Sequence, residues 1–423
     1  MLFQSRHKES KNCFIRNRKL SFGRVVGLIL QKTMKSLQIK LNEAWKQLGF
    51  EEEAPTASAF SQARQNLKYT AFVEMNEKVV DNYYEEKNKR FKGFTLIGVD
   101  GSKILLPNNA EIIKEFGVQK YKNGKEERGV AMGLASVAYD VLNRIPLDAV
   151  LAPCKSSERK LGIGHLDRIV ELFKESEIEA RPCLLFDRGY PSYELFLELM
   201  KRELFFVVRC PKSFLKEVDA VYEKEGEFSE IIEIQKPKSL NKRDDVPATI
   251  KLRVTKILLS SGEWEVLLSN IEDEKIGVED FKEMYNLRWG SEGFYGLLKE
   301  RLTLENFTST TSNGVKQDFY STILLTTIES IYTEESDVEL EVKCIQKGNK
   351  YTRKVNRNIS FNALKTKVFD LLFGTTPLSE LVEELNRLFK KTPTMIRPER
   401  KYRRSKSTSK SLHHRKCSFK ACF

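Results

Sequence analysis

The sequence predicts a mixed α/β protein with helical regions at both ends. Three observations support this fold class. Residues 20–90 carry apolar side chains at helical spacing and few strand signals. From Gly93 onward, short apolar runs separated by turns predict strands, and residues 203–271 consist mostly of alternating or β-branched segments. From Val278, helical spacing returns and continues through residues 317–333 and 377–390.

The strand predictions in the first α/β part place two acids at strand ends. The run FTLIGVD ends at Asp100, and RPCLLFDRGY carries Asp187 directly after its apolar part. Because carboxylates at the ends of neighbouring strands can converge outside a sheet, we expect these two acids to lie close together. Further strands are predicted at 102–107, 129–141 and 145–153, and a helix is predicted at 163–179.

The charge is concentrated at the two ends of the chain. The 423 residues contain 72 Lys and Arg against 59 Asp and Glu, a net charge of +13. Residues 1–40 carry +9 and residues 390–423 carry +11, which leaves −7 for the remainder. Basic ends predict a polyanionic partner with salt-dependent binding, although such a tail can also be merely solvated and disordered. The long apolar run and the signal peptide of membrane or secreted proteins are absent, so we expect a soluble, cytosolic protein.

A third acid, Glu292, lies within a predicted helix, residues 285–299, beside two cations. Tyr285, Arg288, Glu292 and Lys299 follow the spacing Y-(2)-R-(3)-E-(6)-K, which places all four within roughly 60° on one helical face. Hard carboxylate ligands beside phosphate-binding cations suit phosphodiester chemistry with magnesium or manganese. The alternative is an exposed helical face stabilised by Arg288 and Glu292 at i and i+4. A lone Asp after a strand is likewise more often a turn residue or a helix cap.

These motifs together resemble the DDE transposases of bacterial insertion sequences. DRGY at 187–190, VDGSK at 99–103 and the YREK series resemble the fourth-numbered insertion-sequence family. Agreement extends to SERKLGIGHL (157–166), RNRKLSF (16–22) and SAFSQARQNL (58–67). The resemblance implies a ribonuclease H-like catalytic sheet interrupted by a β-rich insertion, with a helical N-terminal domain and a helical, basic C-terminal region. The corresponding domains are residues 1–90 (DNA-binding), 91–202 (catalytic, first part), 203–275 (insertion), 276–330 (catalytic, second part) and 331–423.

The same resemblance implies roles for individual residues. Asp100, Asp187 and Glu292 would be the catalytic triad and would hold two Mg²⁺ or Mn²⁺ ions. Tyr285, Arg288 and Lys299 would contact DNA near the cleaved end. Trp264 or Trp289 would stack on a base flipped out of that end. The implied activity is cut-and-paste transposition by a homodimer that holds inverted-repeat ends and target DNA, in the bacterial cytoplasm at the nucleoid.

Several alternatives stay open at this point. Core packing is the favoured interpretation for both Trp264 and Trp289. His413, His414, Cys417 and Cys422 could bind zinc, but their spacing matches no common site. His165 is expected to cap or pack rather than catalyse. The rival functions are a transposase-derived DNA-binding protein without catalysis and a ribonuclease H-like nuclease without strand transfer.

Overall fold

The computed structural model describes residues 2–16, 18–32, 35–86, 88–123, 126–174, 181–259, 261–374 and 376–397. The basic tail beyond Arg397 and the possible zinc ligands near the C-terminus lie outside these residues. The chain divides into two compact units. The terminal unit comprises the described residues of Met1–Asn76 and Asn306–Phe423, and the central unit is Glu77–Glu305.

The elements follow the chain in this order. The helices are α1 (Leu2–Arg6), α2 (Phe22–Leu30), α3 (Leu37–Gln47), α4 (Ala57–Gln65), α5 (Thr70–Tyr84), α6 (Ala110–Phe116), α7 (Glu158–Gly164), α8 (Leu166–Lys174), α9 (Tyr193–Lys201), α10 (Lys216–Glu223), α11 (Val278–Leu287), α12 (Trp289–Gly296), α13 (Ser312–Gln346), α14 (Arg357–Phe373) and α15 (Leu378–Lys391). The strands are β1 (Phe94–Leu105), β2 (Val118–Asn123), β3 (Glu126–Asp140), β4 (Ile145–Pro153), β5 (Arg181–Phe186), β6 (Phe205–Cys210), β7 (Phe228–Gln235), β8 (Thr249–Leu258), β9 (Trp264–Ser269), β10 (Arg353–Lys354) and β11 (Thr394–Met395). A π-helical turn, Leu297–Arg301, continues α12, and Lys238–Leu240 form a 3₁₀ turn.

The terminal unit is built from helices around the long helix α13. Thr311 caps α13 by accepting a hydrogen bond from the Gly314 N–H, and Ser21 caps α2 in the same way. Helix α2 packs against α13 and α14, and the Phe369 ring occupies the space that a side chain at Gly27 would need. Helix α13 is twice as long as the predicted 317–333. Most of its buried residues after Leu325 are polar, so the spacing of apolar residues did not reveal its full length.

The central unit contains a mixed sheet with helices, which confirms the mixed α/β class. The strand order is β2-β3-β1-β5-β6-β9-β8-β7, and β4 also pairs with β3. Strand β3 pairs antiparallel with both β1 and β4, whereas β5 pairs parallel with β1 and β6 pairs parallel with β5. Among the described residues, no helix combines the length and apolar character needed to cross a membrane.

The residues assigned to a β-rich insertion, 203–275, join this same sheet. Strand β6 pairs in parallel with β5, and β9, β8 and β7 extend the sheet beyond it as antiparallel strands. Strand β6, which comes from the segment LFFVVRC, lies directly beside β5, and the pairing Cys183↔Phe205 fixes its register. The domain boundaries stay predictions.

Two further elements differ from expectation. Strand β1 does not end at Asp100 but continues to Leu105, because residues 101–105 keep their pairing with β3. The described part of the predicted helix at 163–179 is divided between α7 and α8, which meet at His165, whose backbone caps the end of α7. Residues 175–179 lie outside the described residues. Neither difference was visible in the spacing of the apolar residues.

One apolar cluster holds α11 against the sheet. Phe94, Leu185 and Val207 come from β1, β5 and β6, and Phe281 and Met284 come from α11. All five side chains are buried, so α11 is fixed over the centre of the sheet. The segment that carries Glu292 begins directly after this helix.

Candidate active site

The pairing of β1 with β5 brings the first two acids together. Val99 lies opposite Phe186 in the parallel register, so Asp100 and Asp187 are the next residues on the two strands. Strand β5 ends there while β1 continues, which leaves the edge of β1 open beside Asp100. The Gly101 N–H donates to Asp100 Oδ1 at 2.9 Å and fixes that carboxylate.

Close approach of α12 to β1 brings Glu292 to the same place. A Cβ atom at Gly98 would overlap the Ser291 hydroxyl, so only glycine allows this packing. Tyr295 anchors the helix, because its hydroxyl lies 2.9 Å from the Asp100 carbonyl oxygen and 3.0 Å from that of Ala135. Sequence reasoning missed Gly98 and Tyr295. The sequence signal for Gly98 was a glycine inside a buried strand. The signal for Tyr295 was a tyrosine three residues after Glu292.

The sequence predicted one continuous α-helix for the YREK residues, but the structure divides them among three helical segments. Helix α11 ends at Leu287, α12 begins at Trp289, and a π-helical turn follows from Leu297. A π-helical turn has more residues per rotation than the α-helix assumed in the prediction. Lys299 therefore does not lie on the face that α-helical spacing predicts. Lys299 nevertheless contacts β1 just after Asp100, because its Nζ donates to Ser102 Oγ and to the Lys103 carbonyl oxygen, both at 2.7 Å.

Arg288 is a buried cation at the junction of α11 and α12. It is 2% exposed, and its Nη2 donates to Glu292 Oε1 at 3.1 Å. Its guanidinium carbon lies 5.3 Å from the Tyr285 ring centroid and 5.2 Å from that of Trp289. The Nε atom has no hydrogen-bond partner among the described residues. A buried guanidinium with an unused N–H donor can still bind an anionic ligand.

Asp187 is held from the other side by Tyr285 and Arg209. The Tyr285 hydroxyl donates to Asp187 Oδ1 at 3.4 Å, and Arg209 Nη1 lies 3.6 Å from the same oxygen. Arg209 also forms an ion pair with the buried Glu265. Burial raises the pKa of Tyr285 to about 12, although the Arg288 and Arg209 cations act in the opposite direction. Arg209 and Glu265 were not predicted, because nothing in the sequence shows that β6 and β9 are neighbours.

The electrostatics of Asp100 differ from those of an ordinary surface acid. Burial raises the pKa of its carboxyl to about 6. The Gly101 N–H and the Arg288 cation oppose the rise, while the negative charges of Glu292 and Glu158 add to it. A cation bound beside Asp100 would relieve this cost, because it would favour the ionised carboxylate.

Both tryptophans are partly exposed, so the interpretation that favoured core packing is wrong for them. Trp264 is 40% exposed at the start of β9, with the Lys256 ammonium 4.8 Å from its ring centroid. Trp289 is 43% exposed and lies against Arg288. Base stacking by either residue stays a prediction.

The comparison with family models decides what kind of protein carries this site. The model described as "Transposase DDE domain" matches residues 92–328. The chain belongs to this family. The narrower assignment to the fourth-numbered insertion-sequence family stays a prediction.

This DDE transposase also has some similarity to a solved structure. A cryo-EM structure of a piggyBac transposase synaptic complex with hairpin DNA is similar at 10% sequence identity and a TM-score of 0.44. The match covers 87% of this chain and 75% of that chain. No curated protein matches the sequence.

The donor atoms of the candidate site are of the kind that hard divalent cations prefer. Among the described residues, no group of three or more Asp, Glu, His or Cys side chains is arranged to hold a metal ion. Asp187 instead contacts Tyr285, and Glu292 contacts Arg288. The three carboxylates nonetheless supply the oxygen ligands that Mg²⁺ and Mn²⁺ prefer, and the raised pKa of Asp100 favours a cation there.

The remaining histidine of interest is structural. His165 is fully buried, its Nδ1 lies 2.6 Å from Asp148 Oδ2, and its Nε2 lies 2.9 Å from Ser136 Oγ. The expectation that His165 caps or packs is confirmed. Its contacts join β3 and β4 to the junction of α7 and α8.

Proposed function

We propose that this transposase cleaves DNA at the ends of an insertion sequence and joins those ends to target DNA, with Asp100, Asp187 and Glu292 as its catalytic acids. The observation that carries the proposal is the register of β1 with β5, which makes two of the acids neighbours. The packing of α12 on Gly98 brings the third acid alongside. Family membership supports the same chemistry.

The proposed reaction has two phosphoryl-transfer steps. In the first, water displaces the 3′ oxygen of a phosphodiester at the element end and leaves a free 3′-hydroxyl. In the second, that hydroxyl attacks a target phosphodiester, displaces its 3′ oxygen and forms the joined strand. Two Mg²⁺ or Mn²⁺ ions, bound by the three acids, would activate the attacking oxygen and stabilise the leaving oxygen.

The chain's own residues position the DNA in this proposal. Arg288 and Lys299 bind phosphates next to the scissile bond, because both cations lie beside the acids. Tyr285 holds Asp187 and orients the backbone. Trp264 and Trp289 offer exposed rings for a flipped base, which a hairpin route would require.

The proposed architecture follows the same assignment. We infer that β4-β3-β1-β5-β6 form a ribonuclease H-like sheet, which three antiparallel strands followed by two parallel ones support. The region 1–90 is proposed to bind the inverted repeats, and 331–423, with its basic tail, to contact DNA without reading bases. The working form is a homodimer that holds two ends and the target.

The deciding experiment compares Asp100→Asn, Asp187→Asn and Glu292→Gln on DNA that carries the inverted repeats flanking the gene. Each variant should lose cleavage by at least about a thousandfold, since the metals supply several kcal/mol of transition-state stabilisation. End binding should persist, because basic residues elsewhere supply the affinity. Glu233→Gln, a substitution at an exposed acid of β7, is the matched control.

Each outcome has a distinct meaning. Near wild-type cleavage by one variant removes that residue from the triad. Binding of the ends by the wild-type chain without cleavage supports a transposase-derived DNA-binding protein. Cleavage without joining to a target plasmid supports a nuclease.

A further inference from the structure

Helix α4 of the terminal unit presents an exposed face of short polar side chains. Four exposed residues, spaced i, i+3, i+4 and i+7, share this polar face: Ser58, Ser61, Gln62 and Gln65. None of them is charged, and every one can both donate and accept hydrogen bonds. The opposite face anchors the helix, because Phe60 and Arg64 are buried. The polar face is therefore held towards solvent by the packing of α4.

A groove runs along each side of the polar face. The first groove, of about 990 Å³, lies between α4 and the basic loop, which comprises the described residues of 12–20. The second groove, of about 200 Å³, lies between α4 and residues 308–314. Gln62 lines the first groove, and Ser61 and Gln65 line the second. Helix α4 is thus a ridge between two grooves.

The first groove is positively charged. Arg16, Arg18 and Lys19 line it against one acid, Glu53, which leaves a net charge of 3 − 1 = +2. Lys19 forms an ion pair with Glu52 at 3.2 Å. The side chains of Arg16 and Arg18 are exposed and form no ion pair with the residues that the structure describes. These two arginines can therefore bind an external anion.

Contacts with neighbouring residues hold the backbone of the basic loop. Lys8 Nζ donates to the Cys13 carbonyl oxygen at 3.4 Å, and Gln4 Nε2 donates to that of Phe14 at 3.1 Å. Phe14 has a φ of 57°, in the left-handed region that bulky residues rarely adopt. Its ring centroid lies 5.5 Å from that of Phe22, which stabilises this conformation. The arginines that follow Phe14 are therefore attached to a well-held backbone.

The second groove is lined by hydroxyl groups instead of cations. They belong to Thr308, Ser309, Thr310 and Thr311. The 35-residue helix α13 begins at Ser312, directly after them. Hydroxyl groups donate hydrogen bonds to phosphate oxygens, and the positive end of a helix dipole favours negative charge nearby. Both grooves thus carry groups that suit phosphates.

A ridge between two phosphate-binding grooves fits double-stranded DNA. An α-helix with its side chains is about 10–12 Å across, and the major groove of B-DNA is about 12 Å wide. A helix in the major groove has one phosphate backbone on each side, where α4 has its two grooves. Glutamine can form two hydrogen bonds with adenine, and serine can bond to several bases. The polar face would therefore meet base edges.

We propose that α4 enters the major groove of DNA, where Gln62 and Gln65 contact base edges. Arg16 and Arg18 bind phosphates of one strand, and the hydroxyl groups of the second groove bind phosphates of the other. This inference rests on the proposed binding of inverted repeats by region 1–90 and names the surface that recognises them. It does not depend on the three catalytic acids.

The first test measures sequence discrimination by the full chain in chelator, using fluorescence anisotropy. The probes are a DNA duplex with the inverted repeat that flanks the gene and a scrambled duplex of the same composition. Gln62→Ala and Gln65→Ala should each reduce the preference for the inverted repeat by about tenfold, with binding of the scrambled duplex unchanged. Gln346→Ala, at an exposed glutamine that ends α13, is the control.

The second test repeats the titrations across a range of salt concentrations. Arg16→Ala and Arg18→Ala should weaken binding of both duplexes equally and reduce the slope of log K against log salt by about 1 each. Lys35→Ala removes an exposed cation outside both grooves and should leave the slope unchanged. All five substituted side chains are exposed, so every variant should melt at the wild-type temperature.

The outcomes separate this inference from the proposed function. Full discrimination by both glutamine variants, with the wild-type chain still preferring the inverted repeat, would overturn the role of α4 and leave end recognition intact. Equal binding of both DNA duplexes by the wild-type chain would overturn end recognition itself. Duplex RNA of the same sequence should bind more weakly, because side chains cannot enter its narrow major groove. Equal affinity for that RNA would overturn the placement of α4 in the major groove.

Discussion

Two buried arginines, one in each unit, stand in contrasting surroundings. In the terminal unit, Arg64 donates to Gln317, Thr308 and the Gly314 carbonyl oxygen, each at 2.7 Å, and to Asp318 at 2.8 Å. In turn, Asp318 accepts hydrogen bonds from the Thr308 N–H and hydroxyl. Burial opposes the ionised Asp318, but the Arg64 and Lys32 cations outweigh it and lower the pKa of Asp318.

The central unit shows the opposite pattern. Arg288 is as buried as Arg64, but among the residues that the structure describes its Nε has no hydrogen-bond partner, and neither has the Tyr190 hydroxyl. The pKa of Asp100 is raised rather than lowered. A fully satisfied buried network stabilises a fold, whereas an incomplete one costs free energy that a ligand can recover. The contrast therefore separates a satisfied structural cluster from a candidate site with unsatisfied polar groups.

The largest expected effect breaks the structural cluster. Arg64→Ala leaves Asp318 buried without its cation, which should cost about 3–5 kcal/mol of unfolding free energy. The melting temperature of the full chain should fall by roughly 10 °C. Lys35→Ala, which removes an exposed pair with Glu43, should cost less than about 1 kcal/mol. An equal, small loss in both variants would show that the Arg64 network contributes no more than a surface pair.

An intermediate effect is expected at the binding site. Lys299→Ala and Arg288→Ala should slow single-turnover cleavage on the order of a hundredfold with DNA saturating, because misplaced reacting groups lose about that much. Lys282→Ala is the control, since Lys282 on α11 pairs with Glu227 instead. Melting temperatures measured alongside show whether Arg288 acts mainly through stability. Normal cleavage by both variants would make the YREK residues structural.

The smallest effect concerns Asp100 and pH. Its folded pKa of about 6 exceeds the ordinary 3.8, so the ionised carboxyl destabilises the metal-free fold above pH 6. This cost in unfolding free energy falls as the pH drops from 6 towards 4, because Asp100 in the folded chain then carries a proton. Asp100→Asn should therefore raise the melting temperature by a few degrees at pH 7 in chelator, and by less at pH 5. A gain in melting temperature that does not change with pH would contradict the raised pKa of Asp100.

Most residues of the candidate site could be proposed from the sequence, because their signals are local. Asp100 and Asp187 follow apolar runs, and the spacing from Tyr285 to Lys299 survives the break in the helix. Helix type and strand ends could not be predicted, because they depend on pairing with distant residues. Strand β1 continues past Asp100 only because β3 is long enough to pair with it.

The residues that sequence reasoning missed share one property. Arg209 and Glu265 meet Asp187 from strands that are distant in the chain, and Gly98 matters only because α12 packs on it. None of them belongs to a spacing pattern that one helix or strand could reveal. The exposure of both tryptophans is likewise a property of the folded surface.

The sequence by itself determined the order of helical and strand regions, the mixed α/β class and the positions of Asp100 and Asp187 after apolar runs, because apolar periodicity and turn residues act over short range. Only the tertiary structure decided which acids meet, which cations hold them and which polar groups lack partners. The physical reason is that strand register and helix approach depend on contacts between distant segments. A glycine such as Gly98 or Gly101 has no local signature of the side chain that will fill its space.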